Sequence, residues 1–355
     1  MTSKERVRIV LEHGIPDRVP IHDGYWDETL ERWKREGMPE EATVSREAAW
    51  EYFDTDIRLI SVDSSFQFPE TVLEEDQRYV IRRTKDGMVE KRIKGKTSTP
   101  GLISFAVSNK ADWDRLKHRL QSTENRLPAN LYDVLGSYER LQKFVAVAVH
   151  DPYEASWSKI GPDNLLMLLK TDPEFVHEVF RTITDLNLMV CEELLASGYS
   201  IDGAWIWGDI AYTRGLLFSP ETYKALLYPY HRRLIGFFRQ RGLPVVYHTD
   251  GNVEQVIPLL IEAGISCLQP LECKAGMDLF KLKAKYGEDL VFMGNVDFEK
   301  IAIGDREAVE EIALKVGKGK AGGGYIYHSD HSVPPTIGFD TYLKVLELVR
   351  EYGRY

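Results

Sequence analysis

Two short stretches concentrate groups that bind metals or move protons. PVVYHTDGNV (residues 244–253) runs from an apolar β-branched segment into His248, Asp250 and Gly251, and YHSDHS (327–332) carries His328, Asp330 and His331. A neutral imidazole and a carboxylate are both acceptable Zn²⁺ ligands, and both are costly to bury unpaired. Taken alone, His248-Thr249-Asp250 fits a hydrogen-bonded structural pair as well as a metal site. Glu272 and Cys273 close another apolar run and extend the candidate set, although Cys273 also reads as a small loop residue. Three or four such groups with one position left open make a catalytic metal centre. His22, Asp23, Asp63 and Asp209 end other apolar runs and suit substrate orientation or proton transfer. A carboxylate in a low-dielectric mouth gains the raised pKa a general acid needs.

These residues are far apart in the chain, so only an architecture that gathers strand ends can unite them. Eight apolar runs read as strands: 19–23, 56–63, 144–151, 203–209, 244–250, 265–272, 290–297 and 324–330. Helical-period stretches lie between them, including 172–198 and 219–242, each opening on Asp or Ser before Pro and closing at Gly, as helix boundaries should. Strands too hydrophobic for a one-sided sheet, alternating with long helices, imply parallel strands covered by helices. No Gly-rich phosphate loop follows the first run, which removes the main marker of a dinucleotide-binding open sheet. The expected fold is therefore α/β, a single (β/α)8 TIM barrel spanning residues 1–355.

In such a barrel, catalytic groups sit at the C-terminal strand ends. Every run ends in a polar group there, and most of the nine histidines lie at these ends. The fifth and eighth ends share one mouth, so His248 and His331 could meet across it. One segment interrupts the pattern. Residues 78–96 alternate apolar and charged side chains around Asp86-Gly87, the pattern of a β-hairpin insertion with a type I′ turn after the second strand.

The 355-residue chain is 43% hydrophobic, enough for a large core, and its net charge of -10 opposes a nucleic-acid phosphate tracker. Three irregularly spaced cysteines cannot build a disulfide framework, which fits a reducing cytoplasm. The N-terminal stretch is charged and lacks a signal peptide's apolar core, and no run approaches the ~18 apolar residues of a membrane span. A cytoplasmic protein that contacts neither nucleic acid nor membrane is expected.

Several segments resemble the uroporphyrinogen decarboxylase superfamily, which also contains cobamide-dependent methyltransferases. They are YFDTDIRLISVD, the long stretch from DGAWIWGD to VVYHTDGNV, MGNVDFEKI, and GGGYIYHSDHSVPPTIGFDTY, in the family's order. The resemblance runs from about residue 4 onward and implies the same (β/α)8 barrel. On the decarboxylase branch it implies an essential aspartate at Asp63 and a late histidine at His331, with no cofactor. That branch also has an arginine-rich segment after the first strand. Here the segment reads HDGYWDETLERW, whose acids and aromatics do not suit a carboxylate-laden tetrapyrrole. On the methyltransferase branch, zinc is bound by His-x-Cys-Gly after the fifth strand and by a later cysteine. This chain has His248-Thr-Asp250-Gly and His331 at those places, a harder donor set with less sulfur.

Nine aromatics follow the first four strand ends: Tyr25, Trp26, Phe66, Phe68, Tyr153, Trp157, Trp205, Trp207 and Tyr212. Part of this set is ordinary barrel core. The rest suits a flat or methyl-bearing substrate, including an aryl methyl ether or a methylated amine, with Tyr25, Trp26, Tyr153, Trp157, Trp207 and Asn295 as binding candidates. The resulting expectation is a metal-dependent methyltransferase. Zn²⁺ or another divalent ion would sit on His248, Asp250, Glu272, Cys273 and His331, and His22, Asp63, Asp209 and His331 would be catalytic. A partner protein would supply the corrinoid, and the chain is compatible with a homodimer. The alternatives are a cofactor-independent decarboxylase using Asp63 and His331, and a non-catalytic ligand- or metal-binding barrel.

Overall fold

A computed structural model describes residues 1–95 and 100–355. Seven parallel strands form one curled sheet: β1 (Ile57–Ser61), β2 (Phe144–His150), β3 (Gly203–Trp207), β4 (Val245–His248), β5 (Cys267–Gln269), β6 (Val291–Met293) and β7 (Tyr325–Ile326). Each is hydrogen-bonded to the next in chain order. Every one lies inside an apolar run expected to form a strand. Six consecutive residues of β2 are buried, as a sheet covered by helices requires. The register sets His150 beside Trp207, Trp207 beside His248, and His248 beside Gln269. One rung across four strands thus carries the C-terminal polar and aromatic side chains.

The first run, 19–23, departs from the expectation. It lies between β7 and β1 but forms bridging contacts rather than a regular strand: Tyr327 N donates to Pro20 O at 2.9 Å, His22 N to Tyr327 O at 3.2 Å, and Asp56 N to Ile21 O at 2.7 Å. The local cause is chemical. Pro20 has no N–H to give, and the Ile21 N–H donates to the Asp56 carboxylate at 2.7 Å. The fold is TIM-barrel-like, with this segment beside both ends of the sheet.

The helix Pro173–Leu195 is capped by Asp172, which accepts from Phe175 N at 3.1 Å, and Ser219 caps the segment beginning at Pro220 in the same way. That second stretch runs to Arg239 and contains a wide π-helical turn at Tyr223–Leu227. Pro229, two residues beyond it, cannot donate to the preceding turn, a common cause of ladder shifts. Tyr223 and His231 are thereby brought inside, where the Tyr223 hydroxyl is 2.9 Å from His231 Nδ1 and His231 Nε2 is 2.7 Å from Asp151 Oδ2.

Residues 71–104 include a separate four-stranded antiparallel sheet, larger than the hairpin expected over 78–96. Its central strands, Tyr79–Arg83 and Val89–Ile93, pair with Arg83 opposite Val89. The connection is therefore longer than a two-residue type I′ turn. Asp86 explains the difference: its carboxylate accepts from Ser158 Oγ and pairs with the buried Lys159, both at 2.8 Å. The loop is shaped to dock on the helix Pro152–Ile160. Lys96, the last residue of the expected hairpin, lies outside the described residues. One apolar cluster extends from Val7 to Val349, and among the described residues no helix is long and apolar enough to cross a membrane.

Candidate functional site

β4 delivers His248 to the C-terminal edge of the sheet, and the chain turns sharply at Gly251. This glycine has φ +80°, and a Cβ there would meet Tyr212 N at 2.6 Å and Ala211 C at 2.7 Å. The tight approach holds Asp250 against the loop after β3, where Asp250 N donates to Asp209 Oδ1 at 2.8 Å. His248 Nε2 then lies 3.5 Å from Asp209 Oδ1 and 4.0 Å from Asp250 Oδ1. One ligand atom from each of the three residues falls within 4.8 Å of the others. His331 completes the cluster from across the mouth, its Nε2 2.9 Å from Asp250 Oδ2. Asp250 Oδ1 is buried and has no hydrogen-bond partner among the described residues.

The cluster opens on a cavity of about 330 Å³. Trp26, Trp50, Trp205 and Trp207 line it together with His22 and His328. Trp207 packs its ring against His248 at 4.4 Å, and Trp26 stacks on His331 at 5.5 Å with 15° between the planes. His22 is buried on the cavity wall, with Nδ1 unpartnered among the described residues. Burial, helped by the charges of His328 and Arg58, holds its pKa well below the usual imidazole value. His22 is neutral.

The carboxylates differ in a useful way. Enclosure by the cavity walls, with the Asp250 charge adding, pushes Asp209 above the ordinary carboxylate value, although its side chain is 41% accessible from the cavity. Burial acts upward on Asp250 as well, but the hydrogen bond from His331 and the neighbouring His248 outweigh it and hold Asp250 low. Burial would lower His331; the hydrogen bond and charge of Asp250 outweigh that and raise it. His331 and Asp250 form an ion pair, so of these two carboxyls Asp209 is the one closer to taking up a proton.

Of the residues expected at the site, His22, Trp26, Trp207, Asp209, His248, Asp250 and His331 surround this one cavity. The others lie elsewhere among the described residues. Glu272 accepts from Gly251 N at 2.9 Å and pairs with Lys274 at 2.8 Å, so it braces the turn that carries Asp250. The Cys273 thiol lies 3.4 Å from Asn295 O, and burial with nearby Asp330 raises its pKa. Asn295 is buried and donates to Leu271 O and Met277 O, which makes it a loop clamp. Tyr25 is fully buried with its hydroxyl 3.1 Å from Tyr342, and Tyr153 packs on Phe218. Trp157 sits half-buried on the helix Pro152–Ile160, outside the cavity lining. Asp63 accepts from Ser65 N at 2.8 Å, lies 3.6 Å from Lys85, and does not line the cavity.

Sequence reasoning missed Gln269, Trp50 and Glu154. Gln269 accepts from His248 Nδ1 at 2.5 Å; its one signal was a polar residue inside the apolar run ISCLQPL. Glu154, in the first turn of the helix after β2, is pushed up to about 8 by burial and by the charge of Asp209.

A curled parallel sheet with a polar, tryptophan-lined cavity at its C-terminal edge defines a TIM-barrel-like protein whose pocket lies where such folds bind small molecules. The family follows from the sequence comparison: residues 94–352 match the model described as Uroporphyrinogen decarboxylase (URO-D), and the chain belongs to that family. No curated protein matches it significantly. Among solved structures, a methyltransferase from Methanosarcina mazei is similar with a TM-score of 0.68 at 15% identity, covering 99% of this chain and 98% of that one. At that identity the likeness shows a shared fold. A glycerophosphoryl diester phosphodiesterase from Parabacteroides distasonis aligns over 98% of this chain and 93% of its own at 11% identity, with a TM-score of 0.39, too weak to bear on fold or function.

Proposed function

We propose that this chain is a single-domain (β/α)8 enzyme, closed at residues 19–23, that transfers a methyl group between a small substrate and a corrinoid carried by a partner protein. A divalent metal ion, Zn²⁺ or a harder ion, would be held by His248, Asp209 and Asp250. The observation that carries this reading is the Asp209–His248–Asp250 group, with the buried Asp250 Oδ1 lacking a partner among the described residues. A buried acceptor with no donor is costly, and a cation at that point would satisfy it. The donor set of one imidazole and two carboxylates suits a borderline or hard divalent ion better than a thiolate-seeking one. When bound, such an ion supplies Lewis-acid polarisation of the substrate heteroatom.

The chain's own residues do the rest. The four tryptophans give a dry wall for the flat or methyl-bearing part of the substrate. His331 holds Asp250 in place through its ion pair. Asp209, ionised as a ligand, would join Asp250 in supplying the negative charge that a divalent ion needs. The cofactor-independent decarboxylase reading lacks comparable support, because Asp63 is engaged with Ser65 and Lys85 away from the cavity lining.

The test is a methyl-transfer assay with reduced cobalamin as acceptor and two substrate panels, aryl methyl ethers and methylated amines. Formation of methylcobalamin, read from its visible spectrum and dependent on His248, supports the proposal. No transfer from either panel by metal-loaded protein counts against it.

A further inference from the structure

Removing a methyl group from a hydroxyl or amine leaves the heteroatom in need of a proton, and carboxylates ionised as metal ligands have none to give. The end of β2 holds a group that can supply it. His150 stands on the rung that continues through Trp207 to His248, one strand from the first and two from the second. Side chains on one rung of a parallel sheet point to the same face, and Trp207 and His248 both line the cavity. His150 therefore points into the mouth. The rung below agrees: Ala148 shares it with Ser61 and Trp205, which also line the cavity.

His150 is the exposed last residue of a strand whose preceding six residues are buried. Its carbonyl accepts from Asn187 Nδ2 at 2.8 Å, while its imidazole has no hydrogen-bond partner among the described residues. The charged and titratable groups around it are Lys159, Asp151, Asp86 and His248. Asp86 is engaged with Lys159 and Ser158, both at 2.8 Å, and Asp151 with His231 at 2.7 Å. The carboxylates that could claim the ring are thus occupied elsewhere. Enclosure in the mouth, with the Lys159 charge adding, holds the imidazole below its usual pKa, and the opposing pull of Asp151 and Asp86 does not prevail.

His150 borders the cavity beside Trp207 rather than forming part of its lining. Adjacent strands lie about 4.8 Å apart, so His150 and His248 are separated by about 10 Å at Cα, with Trp207 between them. A heteroatom held above Trp207 has the Asp209–His248–Asp250 group on one side. On the other it has the His150 ring, within reach directly or through one water.

We propose that His150 is a further catalytic residue, the group that passes a proton to the substrate heteroatom as the methyl group leaves and takes it back in the reverse transfer. This rests on the methyl-transfer reading for the reaction it serves. In the forward direction the electron pair of cobalt(I) forms the new bond to the methyl carbon. The carbon–heteroatom pair stays on the heteroatom, which receives the proton of the His150 imidazolium and leaves neutral imidazole behind. Solvent reprotonates the ring before the next turnover.

Diethyl pyrocarbonate, which acylates accessible neutral imidazoles, tests the placement without turnover. Peptide mass mapping of wild type should show His150 modified, at a rate that follows a midpoint below the ordinary value of roughly 6.5. Phenol, methoxybenzene or trimethylamine, as probes of the two substrate panels, should protect it. A His150 that stays unreactive, or that none of the three protects, overturns the proposal. In methyl transfer to reduced cobalamin, His150→Gln should lower kcat by roughly 100-fold or more with KM little changed, and added imidazole should restore part of the rate of His150→Ala. Wild-type kcat should fall as pH rises through the His150 midpoint, because the imidazolium is the form required; the same fall in His150→Gln would overturn the assignment. Transfer that is indifferent to His150 sinks this proposal alone. Protection of His150 without transfer from any panel compound sinks the methyl-transfer reading, and the proton step assigned here with it.

Discussion

Gly251→Ala tests whether the turn after β4 builds the site. Two costs add. An L-residue forced to φ +80° sits in left-handed space at about 1–2 kcal/mol. Its Cβ would also press on Tyr212 N at 2.6 Å and on Ala211 C and Tyr212 O at 2.7 Å. These are backbone atoms that cannot rotate aside, and overpacking of this kind costs about 1–3 kcal/mol. The sum is about 2–5 kcal/mol of folding stability. Gly242→Ala provides the control, since Gly242 has φ +72° but nothing within 4 Å of the added Cβ, leaving only the about 1–2 kcal/mol conformational cost. Urea unfolding followed by tryptophan fluorescence compares the two. Gly251→Ala should be the less stable and should also bind metal more weakly, because relief of the clash moves Asp250 away from Asp209. Equal destabilisation by both substitutions would refute the close-approach argument.

Three further outcomes follow from the site. In metal-free protein, the His331 imidazole should titrate above the ordinary value by proton NMR and fall back in Asp250→Asn; an ordinary midpoint in wild type would dissolve the ion pair. Because His331 is raised, its contribution to stability is full below roughly pH 6.5 and is lost as pH rises through the raised value. Because Asp250 is lowered, its contribution is present above roughly pH 3.9 and is lost as pH falls through the lowered value. Asp63→Asn should leave metal binding and methyl transfer intact, whereas loss of turnover with an intact fold would favour decarboxylase-type chemistry. Cys273→Ala should likewise bind metal as wild type does, and a large loss of affinity would return Cys273 to the ligand set.

The strands were legible because their burial is written in composition: runs such as FVAVAVH are apolar on both faces only if helices cover the sheet. The polar ends of those runs marked the edge where His248, Asp250, Asp209 and His331 meet. What stayed hidden depended on register and on competing local partners. Gln269 becomes the neighbour of His248 only through the β4–β5 pairing, which no local pattern encodes. Glu272 ends the apolar run 265–272 and Cys273 follows it, yet Gly251 N and Asn295 O, both remote in sequence, engage them. Pro20 and the Asp56 carboxylate turned an expected strand into bridging contacts. The outer strands Thr71–Glu75 and Gly101–Ser104 are exposed at every position, so no burial alternation announced them.

The central claim is that Asp209, His248 and Asp250 hold a divalent ion. Its most direct test is elemental analysis of the purified protein after incubation with Zn²⁺ and removal of excess, on wild type and on His248→Ala. The account predicts stoichiometric metal in wild type and little in the variant, with both folded alike by circular dichroism. Metal absent from both, or equally retained by both, would contradict it.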